Sequence, residues 1–159
     1  MKLAVVVKFI VCLAVTFLAP FVGSLFTRQA VSDWYVHLNK PFFTPPGWLF
    51  GPVWTVLYLL MAVSAFLVWQ KGLAEPIVKI ALALYMLQLV LNALWTPIFF
   101  GAKMPLLAFI EIIFLWIVII LTIIAFFRVS KPAAVLLAPY ILWTSFAALL
   151  NFSLWRLNR

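Results

Sequence analysis

The sequence predicts an all-α integral membrane protein, built as a bundle of five transmembrane helices. Of its 159 residues, 69% are hydrophobic and only 9% are charged, whereas soluble domains are about half apolar and a quarter charged. Uncharged apolar runs recur along the chain, and each is long enough to cross a hydrocarbon core of about 30 Å as a helix. Unbroken runs of this kind differ from the two-residue alternation of a membrane β-barrel.

The apolar runs define five predicted spans and one domain covering residues 1–159. The spans are approximately Phe9–Phe26, Trp48–Trp69, Pro76–Phe99, Pro105–Phe127 and Pro132–Trp155. The connections after the second, third and fourth spans are short, so we expect consecutive helices to lie antiparallel and adjacent. The run after Lys8 is long for the apolar region of a signal peptide, and no small-residue cleavage site follows it. We therefore interpret this run as the first span.

The connection between the first two spans, residues 27–47, is longer and rich in proline. Ser32 and Asp33 are candidate N-caps for a short helix over Trp34–Asn39. Because the prolines that follow favour extended backbone, we expect a structured lid over one mouth of the bundle.

Prolines also mark the start of the second helix and points inside the spans. Thr44 before Pro45 predicts the start of helix two. Four prolines lie in the interior of a span rather than at its first residue: Pro20, Pro52, Pro97 and Pro139. Each removes a backbone donor, and such kinks in membrane helices are often places where a cavity opens, although a tolerated kink in a packed bundle is an equally good interpretation.

The formal net charge of +8 comes from single basic residues at predicted helix ends. This placement indicates anionic lipid headgroups rather than nucleic acid as the partner. Basic residues nearly balance between the two ends, so the positive-inside rule leaves the orientation open. Cys12 is the only cysteine, which excludes an intramolecular disulfide.

Three predicted helices carry aromatic and polar residues at helical spacing. The three stripes are Gly47, Gly51, Trp54 and Tyr58; Tyr85, Gln88, Asn92, Trp95 and Phe99; and Tyr140, Trp143, Thr144, Ala147 and Asn151. Polar groups facing acyl chains are costly, so we expect the stripes to turn inward and enclose an aromatic-walled space. Such a space suits a flat, largely apolar ligand. The alternative is that Gln88, Asn92 and Asn151 only hold helices together.

The sequence contains no recognisable catalytic or metal-ligand pattern, so we predict neither a metal site nor a cofactor. His37, the single histidine, is a candidate haem ligand, but its loop position favours an interfacial or capping role. Glu111 is the only acid at membrane depth and is therefore a candidate functional group. The alternative is that its carboxylate snorkels or bonds a neighbouring helix.

Three spaced patterns resemble the signature of the tryptophan-rich sensory protein family, which includes the mitochondrial translocator protein, or peripheral-type benzodiazepine receptor. The first is Trp34-Tyr35-x-x-Leu38-Asn39-Lys40-Pro41-x-x-x-Pro45-Pro46-Gly47-Trp48-x-Phe50-Gly51-Pro52-Val53-Trp54-Thr55-x-x-Tyr58. The others are Gln88-Leu89-x-Leu91-Asn92-x-x-Trp95-x-x-x-Phe99-Phe100-Gly101 and Pro139-Tyr140-x-x-Trp143-x-x-Phe146-Ala147-x-x-Leu150-Asn151. The spacing is long and specific.

The resemblance implies a five-helix bundle, commonly a homodimer, with a pocket beneath the first loop for porphyrins, sterols and benzodiazepine-type ligands. Matched positions and their neighbours give the predicted ligand-binding residues: Tyr35, Pro45, Gly51, Trp54, Tyr58, Gln88, Asn92, Trp95, Trp143, Phe146, Ala147 and Leu150. The animal proteins carry a cholesterol-recognition tyrosine that the segment 151–156 lacks. This departure favours a tetrapyrrole ligand over cholesterol.

The leading hypothesis is a membrane receptor or carrier that binds a porphyrin and regulates tetrapyrrole metabolism or transport under stress. One alternative is photochemical porphyrin degradation with Trp54 or Trp143 as electron donor. A second alternative is a small proton-coupled exporter working through Glu111. A helical bundle indicates a bacterial cell membrane, and the resemblance also admits an outer membrane.

Overall fold

The chain forms a bundle of helices that cross the membrane five times. The computed structural model describes residues 2–159, and within them the side chains of all residues but Lys2, Arg28 and Gln29. Six helices follow one another: α1 (Lys2–Asp33), α2 (Gly47–Trp69), α3 (Pro76–Thr96), α4 (Pro105–Val129), α5 (Lys131–Leu136) and α6 (Ala138–Leu157). Helices α5 and α6 together form the fifth span, so the predicted fold class is confirmed.

Lipid-facing surface dominates the spans. Between 17% and 39% of the most apolar window of each span is buried inside the protein, and α1 has the lowest share. The remaining side chains project outward although they are strongly apolar, which is the arrangement expected when hydrocarbon is the surrounding solvent.

Helix α1 is longer than the predicted span 9–26, because it continues to Asp33. The length of an apolar run predicts only the part of a helix that lies in the hydrocarbon. The backbone hydrogen bonds of the helix can continue through polar residues outside the bilayer. Ser32 and Asp33 are consequently the last residues of α1, and their predicted role as N-caps is wrong. The predicted short helix over Trp34–Asn39 is a single 3₁₀ turn, Tyr35–His37, without a side-chain cap.

The lid after α1 packs on one end of the bundle and is tied to the end of the chain. Asn39 N–H donates to Asn158 Oδ1 at 2.9 Å, and Asn158 Nδ2 donates back to the Asn39 carbonyl at 2.9 Å. Helix α2 begins at Gly47, after the start predicted at Thr44 and Pro45. The Thr44 hydroxyl donates to the Pro41 carbonyl within the lid. Thr44 therefore stabilises the lid turn rather than the helix start.

Two of the four span prolines interrupt their helices. Helix α3 ends at Thr96, and Pro97–Gly101 form a wider π-helical turn in which Ala102 N–H donates to the Pro97 carbonyl at 2.8 Å. The fifth span breaks at Leu137, two residues before Pro139, whose missing N–H leaves the α-helical ladder incomplete. The helices that contain Pro20 and Pro52 run through without a break.

The spans form a closed ring with one loose seam. Helix α1 packs on α2 and α3, α3 on α4, and α4 on α6. Helix α2 packs against α5 but scarcely touches α6. The junction of α2 with the fifth span is therefore tight at the end opposite the lid and open in the half nearer the lid.

Buried hydroxyl groups join the spans where the packing is tight. The Thr16 hydroxyl of α1 donates to the Cys12 carbonyl and lies 2.6 Å from the Tyr85 hydroxyl of α3. The Ser64 hydroxyl of α2 donates to the Ala133 carbonyl of α5 at 2.6 Å. Each bond satisfies a polar group that lipid could not satisfy.

At Gly23, helix α1 lies close against the end of α3, since a Cβ atom placed there would lie 3.0 Å from Thr96 Oγ1. We expect Gly23→Leu to lower the free energy of unfolding by about 1–3 kcal/mol through overpacking. Denaturation in detergent followed by circular dichroism measures this loss. Gly51→Leu is the matched control because a Cβ there meets no atom within 4 Å. Equal losses in the two variants would contradict the packing argument.

Candidate functional site

A buried hydrogen-bond network joins three of the spans at bilayer depth. The Tyr58 hydroxyl of α2 donates to Asn92 Oδ1 at 2.5 Å, and Asn92 Nδ2 donates to the Tyr140 hydroxyl at 3.1 Å. The Tyr140 hydroxyl in turn donates to Gln88 Oε1 at 2.8 Å. All four side chains are buried. The network therefore holds α2, α3 and α6 together, as the helix-joining interpretation of Gln88 and Asn92 predicts.

The network leaves one donor unused, and a buried acid also lacks a partner. Gln88 Nε2 and both carboxyl oxygens of Glu111 are buried, and none has a hydrogen-bond partner among the described residues. Glu111 lies on the inward face of α4 with Ala108 and Ile112. The prediction that it snorkels is wrong because its carboxyl oxygens are buried, and the prediction that it bonds a neighbouring helix is wrong because they have no partner among the described residues.

Beneath the lid, aromatic rings form a second cluster. Trp95 stacks on Phe99 with ring centroids 4.8 Å apart, and its indole N–H donates to Asn151 Oδ1 at 3.0 Å. Asn151 also donates to the Pro105 carbonyl, so it joins α6 to both α3 and the start of α4. Tyr35 from the lid contacts Phe99 edge to face.

The lid also positions charged and titratable groups above this cluster. Lys40 Nζ lies 4.8 Å from the centre of the Tyr35 ring. Partial burial raises the pKa of the Tyr35 hydroxyl above its usual value, so that hydroxyl is neutral at physiological pH. His37 is exposed in the 3₁₀ turn, and in the described part of the chain no three His, Cys, Asp or Glu side chains gather as a metal site.

An apolar groove opens between α2 and α6, where the two helices separate. Its volume is about 590 Å³, within the range of small-molecule sites. The residues that line it are Pro52, Val53, Val56, Leu57, Pro139, Leu142, Trp143 and Phe146. Val56 and Leu142 are 55% and 71% exposed, so the groove faces the surrounding bilayer.

Trp143 gives the groove an aromatic wall and an unused donor. Its ring packs edge to face against Phe50 at 5.9 Å and lies 5.4 Å from the Phe146 ring. The indole Nε1 is buried and has no hydrogen-bond partner among the described residues. The half-buried Trp116 of α4 instead donates its indole N–H to the Ser145 hydroxyl of α6 at 2.8 Å. Trp54 stacks on Tyr58 at 5.4 Å, away from the groove lining.

The structure separates the predicted ligand-binding residues into three groups. Trp54, Tyr58, Gln88 and Asn92 belong to the central network, Tyr35, Trp95 and Leu150 lie beneath the lid, and Trp143 and Phe146 line the groove. Pro45 in the lid and Ala147 on α6 are half-buried. The predicted inward stripes are confirmed on α3 and α6, where their members are buried or half-buried.

Two expectations about the inward stripes are not met. Gly47 and Gly51 are exposed, because the first turns of α2 stand clear of α6. The three stripes also do not enclose one common space, since the central polar groups bond to one another and the groove lies to one side. Pro52 and Pro139 line the groove but were not among the predicted ligand-binding residues. The expectation that cavities open near prolines inside membrane helices did point to these positions.

Tyr140 provides the hydroxyl that both accepts from Asn92 and donates to Gln88. Tyr140→Phe removes it and leaves two buried amides incompletely bonded, so we expect the free energy of unfolding to fall by about 1–3 kcal/mol. Thermal unfolding of the purified protein in detergent measures the change. Tyr35→Phe is the control, because the Tyr35 hydroxyl has no partner among the described residues. An unchanged melting temperature for Tyr140→Phe would contradict the network's structural role.

Comparisons with known proteins agree with this architecture over nearly the whole chain. The TspO/MBR family model matches residues 10–156. The tryptophan-rich protein TspO of Chlorobaculum tepidum is 44% identical over 147 residues, covering 92% of this chain and 93% of that protein. The Archaeoglobus fulgidus protein of the same name is 43% identical over 154 residues, covering 96% and 98%. The human translocator protein is 41% identical over 143 residues, covering 89% and 84%. This chain is therefore an integral, multi-pass membrane protein that belongs to the TspO/MBR family.

Proposed function

We propose that this protein is a membrane receptor or carrier that binds a porphyrin, or a similar planar apolar ligand, in the α2–α6 groove. One observation carries the proposal: Trp143 lines the groove with its ring and has a buried indole N–H without a partner. A buried donor without a partner is unfavourable unless something supplies an acceptor. A ligand with a flat ring would stack on the wall, and its peripheral oxygen would accept this bond once the indole turns its N–H from the interior toward the groove.

The surroundings of the groove favour an apolar ligand that comes from the bilayer. Its lining side chains are apolar except for the Trp143 indole, whose N–H is buried, and exposed Val56 and Leu142 stand at its rim. A planar hydrophobic molecule partitions into lipid, so the groove faces the phase in which such a ligand is concentrated. A role in regulating tetrapyrrole metabolism or transport, a homodimer and the choice of membrane stay predictions, as does proton-coupled export through Glu111.

Trp143→Phe tests the hydrogen bond while keeping an aromatic ring at the wall. We expect protoporphyrin to bind about 3–10-fold more weakly, because one hydrogen bond of about 0.5–1.5 kcal/mol is lost. Titration followed by the shift of the porphyrin absorption band measures the dissociation constant. Trp116→Phe is the matched control, since its indole already has a partner in Ser145.

The position of the ligand is checked by filling the groove. Val56→Trp adds bulk to the lining, whereas Leu59→Trp adds a similar bulk to an exposed position of α2 outside it. Binding should weaken in the first variant only. Wild-type affinity in both Val56→Trp and Trp143→Phe would refute the groove as the porphyrin site.

The groove geometry also bears on the photochemical alternative. Of the two tryptophans predicted as electron donors, Trp143 lines the groove and Trp54 does not. If a bound porphyrin accepts an electron from indole under light, Trp143→Phe at saturating porphyrin should slow the loss of the porphyrin absorption band severalfold in aerated buffer. Trp54→Phe should leave that rate unchanged. Equal rates in the wild type and both variants would exclude a role for either indole.

A further inference from the structure

At the end of the bundle opposite the lid, a second cleft lies between the last turn of α2 and the junction of α4 with α5. Its volume is about 590 Å³, and Gln70, Lys71, Ser130 and Lys131 provide its polar lining. Leu67 and Val129 supply apolar surface. We propose that this cleft, the Lys71–Lys131 cleft, binds the headgroup of an anionic phospholipid.

Charge is the first argument for an anionic ligand. The lining contains two ammonium groups and no acid. Among the described residues neither ammonium is paired with a carboxylate, and Lys131 instead lies over the Phe127 ring at 5.6 Å. Glu75 in the exposed α2–α3 connection is the nearest acid in sequence to Lys71. Two lysines without a carboxylate partner in the described part of the chain, both lining one cleft, favour a phosphate group to which their flexible side chains can turn.

Neutral donors complete the cleft. The Ser130 backbone N–H is used by the Phe126 carbonyl at 2.7 Å, which fixes the residue at the end of α4. The Ser130 hydroxyl and the Gln70 side-chain amide have no hydrogen-bond partner among the described residues. The backbone leaves α2 through Gly72, whose φ of 94° suits glycine and turns the chain sharply after Lys71. These groups provide hydrogen bonds for phosphate or headgroup oxygens.

The position of the cleft favours a lipid over a soluble phosphate. Trp69 is at the end of α2, and the centre of its ring lies 5.6 Å from Lys8 Nζ. Tryptophans at the ends of membrane helices typically lie at the level of the lipid headgroups. Val135 on α5 and Phe127 on α4 are 66% and 54% exposed and continue the surface toward the hydrocarbon. A phospholipid can therefore place its phosphate between the lysines while its acyl chains lie along these side chains.

The experiment compares lipid binding by native mass spectrometry of the full protein with phosphatidylglycerol and phosphatidylcholine. The Lys71→Gln and Lys131→Gln double variant should bind phosphatidylglycerol at least about tenfold more weakly, because each lysine near a membrane surface contributes substantially to anionic lipid binding. The matched control is Arg156→Gln with Arg159→Gln, which removes the same charge from the lid end. Replacing both lysines by Arg should retain binding, and it separates loss of charge from misfolding.

Three results would overturn the proposal. Equal weakening in the two double Gln variants would show that net charge, not this cleft, attracts the lipid. Equal binding of phosphatidylcholine by the wild type would show that the phosphatidylglycerol headgroup is not recognised. Displacement of phosphatidylglycerol by an equal concentration of glycerol phosphate would assign the cleft to a soluble phosphate. The proposal is independent of ligand binding at the α2–α6 groove.

Discussion

Hydrocarbon offers no hydrogen-bond partner, and this constraint determines where the polar residues of the bundle lie. The buried Tyr140 hydroxyl satisfies two side-chain amides, because it accepts a hydrogen bond from Asn92 and donates one to Gln88. Asn92 extends the same chain of bonds to Tyr58, so that α2, α3 and α6 are held at fixed separations. The groove between α2 and α6 can remain open because this network, rather than direct packing of those two helices, connects them.

Apolar run length predicted the number and approximate position of the spans because the hydrophobic requirement of a bilayer is local in sequence. It could not predict the ends of helices, which depend on backbone hydrogen bonding outside the hydrocarbon. Helix α1 therefore continues to Asp33, and the lid contains a 3₁₀ turn where a short helix was expected. Periodicity likewise identified Gln88, Asn92 and Asn151 as inward-facing, because a polar side chain on the lipid face is costly.

Distances between helices are not encoded in periodicity, and this limited the prediction of the site. The predicted stripe on α2 correctly included Tyr58. Gly51, however, faces open space, because α2 packs against α5 and is separated from α6 along its first turns. The fifth span breaks at Leu137, two residues before Pro139. This break separates α5, which packs against α2, from α6, which scarcely touches α2. A proline can be seen in the sequence, whereas the direction in which the next helix departs depends on the packing of its neighbours.

The reciprocal amide bonds of Asn39 and Asn158 make the last turn of the chain an anchor for the lid. Arg159, which follows Asn158, is therefore next to a segment that covers the aromatic cluster beneath it. A polypeptide fused after Arg159 would start beside the lid, and a force on it would act on Asn39 through the Asn158 hydrogen bonds. Helix α1 begins at the far end of the bundle, where a label attached to its exposed first turns leaves the lid undisturbed.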